Sequence, residues 1–126
     1  MRFVLLSLLL AALLAACGSD DQEPLANPVL DGTGDVAAGE ELFAANCAEC
    51  HGPGANGTAQ GPSFMNDIYV PSHHADGAFL LAVRNGVQPH HWDFGAMPAR
   101  PGLSDQDVAD IVAWVRAQQR AAGVIE

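Results

Sequence analysis

The feature that most constrains this chain is the run Cys47-Ala48-Glu49-Cys50-His51. Two cysteines three positions apart, followed directly by a histidine, are typical of covalent haem attachment. On one helical turn, residues at i and i+3 lie on the same face, so both thiols can reach the two vinyl groups along one edge of a porphyrin. His51 is then placed to ligate the iron from one side. We therefore expect Cys47 and Cys50 to form thioethers with a single haem c.

Two other functions for such a cysteine pair find less support in the sequence. A thioredoxin-like redox pair belongs to a βαβ pattern, and no such pattern is visible around Cys47 and Cys50. A structural zinc site needs a fourth ligand near the cluster, usually from a second Cys/His pair. Haem attachment is therefore the function that the spacing favours.

The N-terminus resembles a bacterial export signal. Met1-Arg2 is followed by an apolar run from Phe3 to Ala16, which is shorter than the ~18–20 residues that span a bilayer and matches a secretory hydrophobic region. The run ends at Leu-Ala-Ala-Cys17, which resembles a lipobox. We expect residues 1–16 to be a cleaved lipoprotein signal peptide and Cys17 to carry the lipid. The alternative is an ordinary signal followed by an incidental cysteine.

These assignments use every cysteine of the chain, because Cys17 takes lipid and the other two take haem. They also predict the location of the protein. It is expected to be exported and lipid-anchored to a bacterial membrane, facing the periplasm or the cell exterior.

The charge of the mature chain limits its partners. Without residues 1–16 it carries four arginines, no lysine and fifteen acidic residues, a net charge of about −11. Such a surface repels nucleic acid and anionic lipid headgroups, so the lipid has to supply the membrane anchor. We expect redox protein partners with a basic docking patch; general solubility or a high-salt habitat would explain the charge equally well.

A flexible tether is predicted over residues 17–34. The segment is polar and acidic and is broken by Pro24, Pro28, Gly32 and Gly34, which is typical of an unpacked linker. A flexible chain of this length has a root-mean-square reach of roughly 20–25 Å. The folded domain is expected over residues 35–126.

The spacing of apolar residues predicts helices in that domain. We expect one helix that begins at an N-cap Asp35 and runs into Cys47, with Gly39 where another helix approaches closely. A second helix is expected over Asp76–Asn85, with Asp76 as its N-cap.

The clearest predicted helix is the last. Ser104 as N-cap and Asp107 at the third helical position form a short capping box, and Arg116 and Arg120 suit the C-terminal end of the helix dipole. Apolar residues follow at helical spacing, with Trp114 beside them. No strand pattern and no internal repeat appear in the sequence, so the predicted fold class is all-α.

Residues 36–120 together resemble the class I, monohaem cytochromes c. The likeness rests on a first helix with Gly39 and Phe43, the Cys-X-X-Cys-His motif, a Gly-Pro loop, a middle helix, a Met-Pro loop and a last helix with Trp114. The resemblance implies that the terminal helices cross beside a covalently bound haem, with the glycine at their contact and the aromatic residues packed next to it.

The resemblance also implies further haem contacts. Met97, which lies in a Gly- and Pro-rich loop, matches the sixth iron ligand; a thioether raises the reduction potential relative to bis-histidine ligation. Pro62 matches the proline whose carbonyl accepts the other N–H of the proximal histidine, and Trp92 matches a tryptophan that bonds a haem propionate. The alternatives are a core methionine, a turn proline and ordinary packing. Met65 is expected to be a packing residue.

Two histidine pairs depart from this pattern, His73-His74 and His90-His91. Neighbouring residues of a helix or strand point in different directions, so one pair alone is a poor chelate. The pairs could bind copper or zinc if they converge across a loop, or one histidine could compete with Met97 for iron. Exposed or pocket-rim histidines are the default expectation.

The function expected from these residues is one-electron transfer without a catalytic residue, since two filled axial positions leave little room for substrate at the iron. Three alternatives stay open. They are a haem enzyme with an open iron position, a redox or gas sensor with a labile Met97, and a fixed cytochrome subunit of a larger oxidase or dehydrogenase complex.

Overall fold

The computed structural model describes residues 27–126. This part contains five α-helices and one short 3-10 helix: α1 Pro28–Asp31, α2 Val36–Asn46, α3 Ala48–His51, the 3-10 helix Asp67–Tyr69, α4 Asp76–Asn85 and α5 Asp105–Ala121. The β structure recorded within 27–126 is an isolated antiparallel bridge between Val87 and Met97. The all-α prediction is confirmed.

The predicted signal peptide over 1–16 and the predicted lipid site at Cys17 lie outside the described residues. Both stay predictions. Between residues 27 and 126, no helix has the length and apolar character needed to cross a bilayer.

The folded part of the chain begins earlier than predicted. Helix α1 lies inside the expected tether, and its Val29 is 1% exposed in a cluster with side chains of α4 and α5. The Asn27 side chain accepts a hydrogen bond from the Val29 N–H at 3.1 Å, which starts the helix. The tether prediction is therefore wrong for residues 28–31. Four residues are about one helical turn, too few for apolar periodicity to show.

Among the helices of residues 27–126, α2 and α5 make the most extensive contact. A Cβ at Gly39 would meet the backbone carbonyl of Asp110, so only glycine allows the two backbones to approach this far. Beside it, the rings of Phe43 and Trp114 lie 4.5 Å apart. The Asp35 side chain caps α2 by accepting hydrogen bonds from two backbone N–H groups. The predicted helix contact and the predicted cap are both confirmed.

Of the N-caps predicted for α4 and α5, the first is wrong and the second is confirmed. Helix α4 has the predicted bounds, but its N-cap is Ala75. Asp76 does not cap it, because its carboxylate accepts a hydrogen bond from the Arg116 Nε at 2.8 Å. At α5 the predicted capping box is present: the Asp107 N–H donates to the Ser104 hydroxyl and the Asp107 carboxylate accepts from the Ser104 N–H.

Arg116 is a buried residue rather than a surface charge near the helix end. It is 5% exposed, and its guanidinium lies 5.1 Å from the centroid of the Phe79 ring. Its hydrogen-bond partners are the Asp76 carboxylate, the backbone carbonyls of Tyr69 and His74, and the Gln119 side chain. The guanidinium therefore connects α5 to the segment 69–76 that leads into α4.

Candidate functional site

A cavity of about 400 Å³ opens between the helices and the loop that follows α4. All six residues that the sequence assigned to haem line it: Cys47, Cys50, His51, Pro62, Trp92 and Met97. Much of the remaining wall consists of apolar side chains such as Phe64, Phe79 and Ile111. The structure thus brings together residues that are up to fifty positions apart in the chain.

One helical turn positions the two thiols. Cys47 is the N-cap of α3, and its carbonyl accepts hydrogen bonds from the N–H groups of Cys50 at 3.1 Å and His51 at 2.9 Å. Both cysteines are free thiols. They therefore lie on one side of a single turn and face the same cavity, as attachment to one porphyrin edge requires.

His51 is held in a defined orientation and tautomer. Its Nδ1 lies 3.0 Å from the Pro62 carbonyl oxygen, so the Nδ1–H donates and the Nε2 lone pair is the one left for a metal. The ring also stacks on Phe64, with centroids 4.4 Å apart. Burial lowers the pKa of His51 below its ordinary value, and the hydrogen bond to Pro62 opposes this shift only in part. The predicted bond to Pro62 is present and fixes the tautomer, while burial favours the neutral imidazole, which is the form that coordinates iron.

The Cys47 thiol is protonated at neutral pH. Burial raises its pKa to about 11; nearby Arg100 lowers the pKa and Cys50 raises it further, each to a smaller extent. Because the thiolate is the reactive form of cysteine, burial makes the Cys47 thiol less reactive than an exposed one.

The backbone of Met97 is fixed against the end of α4. Its N–H and C=O both pair with Val87 at 3.0 Å. Gly86, between α4 and this bridge, has φ +72°, and a Cβ there would lie 2.6 Å from the Met97 carbonyl oxygen. A glycine is therefore needed both for the turn and for the close approach. The result is a methionine presented to the cavity from a restrained loop.

The remaining predicted residues have protein partners. The Trp92 Nε1–H donates to the Tyr69 hydroxyl at 3.2 Å, which agrees with a role in packing the cavity wall; contact with a propionate stays a prediction. Met65 packs against the cluster that contains Phe43, as expected for a packing residue.

The two histidine pairs converge, which the sequence could not show. Ligand atoms of His73, His74 and His91 lie within 4.8 Å of one another. His90 is beside them, with its ring centroid 4.4 Å from that of His91. Three of the four, His74, His90 and His91, line the cavity, so the default of pocket-rim histidines holds for these three.

The cavity fits the group that the motif implies. It offers two thiols on one turn, an imidazole whose Nε2 is available, a thioether and a largely apolar wall. This donor set is that of a covalently attached haem with histidine and methionine ligands.

Comparison with known proteins agrees with this geometry. The family model described as "Cytochrome c" matches residues 36–119. The chain is 38% identical over 88 residues to cytochrome c6 of Picosynechococcus sp., covering 67% of this chain and 74% of that protein. It is 35% identical over 86 residues to cytochrome c6 of Bumilleriopsis filiformis, covering 67% of this chain and 92% of that protein.

A different kind of relative is the Cbb3-type cytochrome c oxidase subunit CcoP of Rhodobacter capsulatus. The identity is 33% over 88 residues, covering 65% of this chain but only 29% of that subunit. No solved structure gives a significant match. From the family match and the fit of the cavity, the chain belongs to the cytochrome c family and is a monohaem class I member with covalently bound haem c.

Proposed function

We propose that this protein is a membrane-tethered electron carrier that moves single electrons between extracytoplasmic redox proteins, with His51 and Met97 as the axial ligands of its haem. Haem-based electron transfer is the chemistry of the cytochrome c family. When bound, the haem iron supplies a one-electron couple between its ferric and ferrous states. The observation that carries the proposal is that both candidate ligands line one cavity with the two thiols.

The protein residues around the cavity suit a carrier. Cys47 and Cys50 hold the cofactor against loss outside the cytoplasm, and Pro62 orients His51 through the 3.0 Å hydrogen bond. The Val87–Met97 bridge keeps the thioether at the cavity. His51, held by its bond to Pro62, and Met97, whose backbone is paired with Val87, would together ligate the iron and leave no position for substrate. This favours electron transfer over the enzyme and sensor alternatives.

The axial ligand is tested by replacing Met97 with alanine in the holoprotein. We expect Met97→Ala to lose the ferric methionine–iron charge-transfer band and to bind carbon monoxide readily in the ferrous form. Met65→Ala is the matched control, because Met65 packs in the core, and it should keep the band and bind carbon monoxide poorly. Retention of the band in Met97→Ala would show that Met97 is not the ligand.

A second candidate function is that of a fixed cytochrome subunit in a larger complex. The relation to CcoP, an oxidase subunit by name, favours it. Extraction of the native protein in mild detergent followed by size analysis separates the two. A carrier elutes at the size of one chain plus detergent, whereas a fixed subunit elutes with other polypeptides.

The membrane tether is proposed to be a lipid on Cys17, at the end of the predicted signal peptide. Expressed in a bacterium that exports it, the native protein should partition with membranes and Cys17→Ser should be released into the soluble fraction. Haem content per chain, measured in both, controls for export and maturation. Membrane partitioning of an exported, haem-loaded Cys17→Ser would refute the anchor.

A further inference from the structure

Four histidines from two separate segments meet at the rim of the haem cavity. His73 and His74 precede α4, and His90 and His91 follow it after the chain has turned back. The ring centroid of His91 lies 5.4 Å from that of His73 and 5.5 Å from that of His74. Such convergence of imidazoles has no part in holding the haem, whose proposed ligands are His51 and Met97.

Three of these side chains form a candidate ligand set. The ligand nitrogens of His73, His74 and His91 lie within 4.8 Å of one another. Bonds of ~2.0–2.1 Å to a common metal ion require somewhat shorter separations. His73 and His91 are exposed, so rotation of their side chains can close this difference at little cost.

The middle ligand, His74, is fixed by its surroundings. Its Nδ1 lies 2.7 Å from the Ile68 carbonyl oxygen, so the Nδ1–H donates and Nε2 is left as the metal-binding atom. Its own backbone carbonyl accepts from the buried Arg116 at 2.7 Å. A hydrogen bond from the second ring nitrogen to a carbonyl is the arrangement that orients histidines in metal sites.

We propose that His73, His74 and His91 bind one late first-row divalent metal ion, with Cu²⁺ held more tightly than Zn²⁺. Imidazole nitrogens suit both ions, and the Irving–Williams order places copper above zinc for the same ligands. Three protein ligands leave a further position for water. The acidic character of the whole chain favours a cation at its surface.

Bound metal would join the segment before α4 to the segment after it. The second segment continues to Met97, six residues beyond His91. Because the ion binds the folded chain and not the unfolded one, it should raise the thermal stability of the protein in proportion to the logarithm of its free concentration.

The test uses tag-free holoprotein titrated with Cu²⁺ and separately with Zn²⁺, followed by isothermal calorimetry and metal analysis after dialysis. We expect one ion per chain. His73→Ala and His91→Ala should each weaken Cu²⁺ binding at least tenfold. His90→Ala is the matched control, because it is an exposed histidine of the same loop outside the ligand set, and it should change affinity less than threefold.

Two further measurements keep the outcome clear. The haem absorption spectrum of each variant shows that it has folded, and electron paramagnetic resonance of the Cu²⁺-loaded native protein should show three coordinated nitrogens without need of any variant. The proposal is overturned if no ion binds stoichiometrically, if His90→Ala weakens binding as much as His91→Ala, or if the resonance shows fewer than three nitrogens.

Discussion

Single polar residues on α5 position the segments that surround the cavity. Gln119 is fully buried, and its side-chain amide donates to the carbonyls of Phe64 and Tyr69 at 2.8 and 3.1 Å. The Asp110 carboxylate accepts from the N–H of Asp35 at 2.8 Å and so holds the start of α2. Each of these bonds satisfies a backbone group that no helix or sheet would otherwise satisfy.

The buried Arg116 gives the sharpest prediction at this scale. Arg116→Lys should lower the free energy of unfolding by about 3 kcal/mol, because a lysine keeps the charge but lacks the planar fork that reaches several acceptors at once. Loss of the guanidinium takes a donor from the His74 carbonyl and leaves the Tyr69 carbonyl with the Gln119 amide alone. Urea denaturation of the holoprotein measures the change.

The matched control is Arg120→Lys, one turn further along the same helix and exposed. It should change stability by less than about 0.5 kcal/mol. Equal effects of the two substitutions would contradict the role given to Arg116.

At the scale of elements, the capping box fixes where α5 begins. The Ser104 hydroxyl and, to a smaller extent, its backbone N–H hold the pKa of Asp107 below its ordinary value of 3.8. A depressed pKa means that ionised Asp107 stabilises the fold above that value. This stability is lost as the pH falls below 3.8 and through the pKa of the folded state.

Ser104→Ala should therefore cost about 1 kcal/mol at neutral pH, and the difference from the native protein should shrink as the pH falls below about 4. Thermal unfolding at a series of pH values tests this. Ser72→Ala, at an exposed serine outside any helix, should have no comparable effect. A difference that stays constant down to pH 2 would count against the capping box as its source.

The elements differ in how far the sequence predicts them. The bounds of α4 and the cap of α5 follow from apolar spacing and capping residues, which are local signals. Helix α1 was missed because four residues carry no period, and its stability comes from the burial of Val29 against distant helices. Aspartate is a residue type that often caps helices, but the Asp76 carboxylate accepts a hydrogen bond from Arg116, forty residues further along the chain.

The residues of the candidate site also differ in how far local sequence signals predict them. Cys47, Cys50 and His51 are adjacent in sequence, so their chemistry is readable from spacing alone. The assignment of Met97 as an iron ligand depended on the resemblance to the class I cytochromes c. The convergence of His74 with His91 depends on how the chain turns back after α4, and no local signal reports it.

On the scale of the whole molecule, the negative charge is barely offset at the surface. Arg84 is paired with Asp105, and Arg116 is buried, so two of the four arginines of the described chain add little positive surface potential. The fifteen acidic residues of the sequence therefore dominate the field that an approaching protein meets.

Electron exchange with a basic redox protein should accordingly slow by tenfold or more between low and physiological salt, because screening removes the attraction that steers the encounter. Stopped-flow kinetics over a range of ionic strength measures it. An acidic redox protein of similar size is the control, and its rate should rise with salt. If the rate of electron exchange with a basic partner did not change with salt, that result would argue against electrostatic docking.

Helix α1 also shortens the link between Cys17 and the folded part of the chain. Only ten residues separate Cys17 from Pro28, and even when fully extended they span roughly 35 Å. A lipid at Cys17 would therefore confine the haem domain to a thin layer above the bilayer. Within that layer, a membrane-bound partner is met at an effective concentration set by the length of the link rather than by expression level.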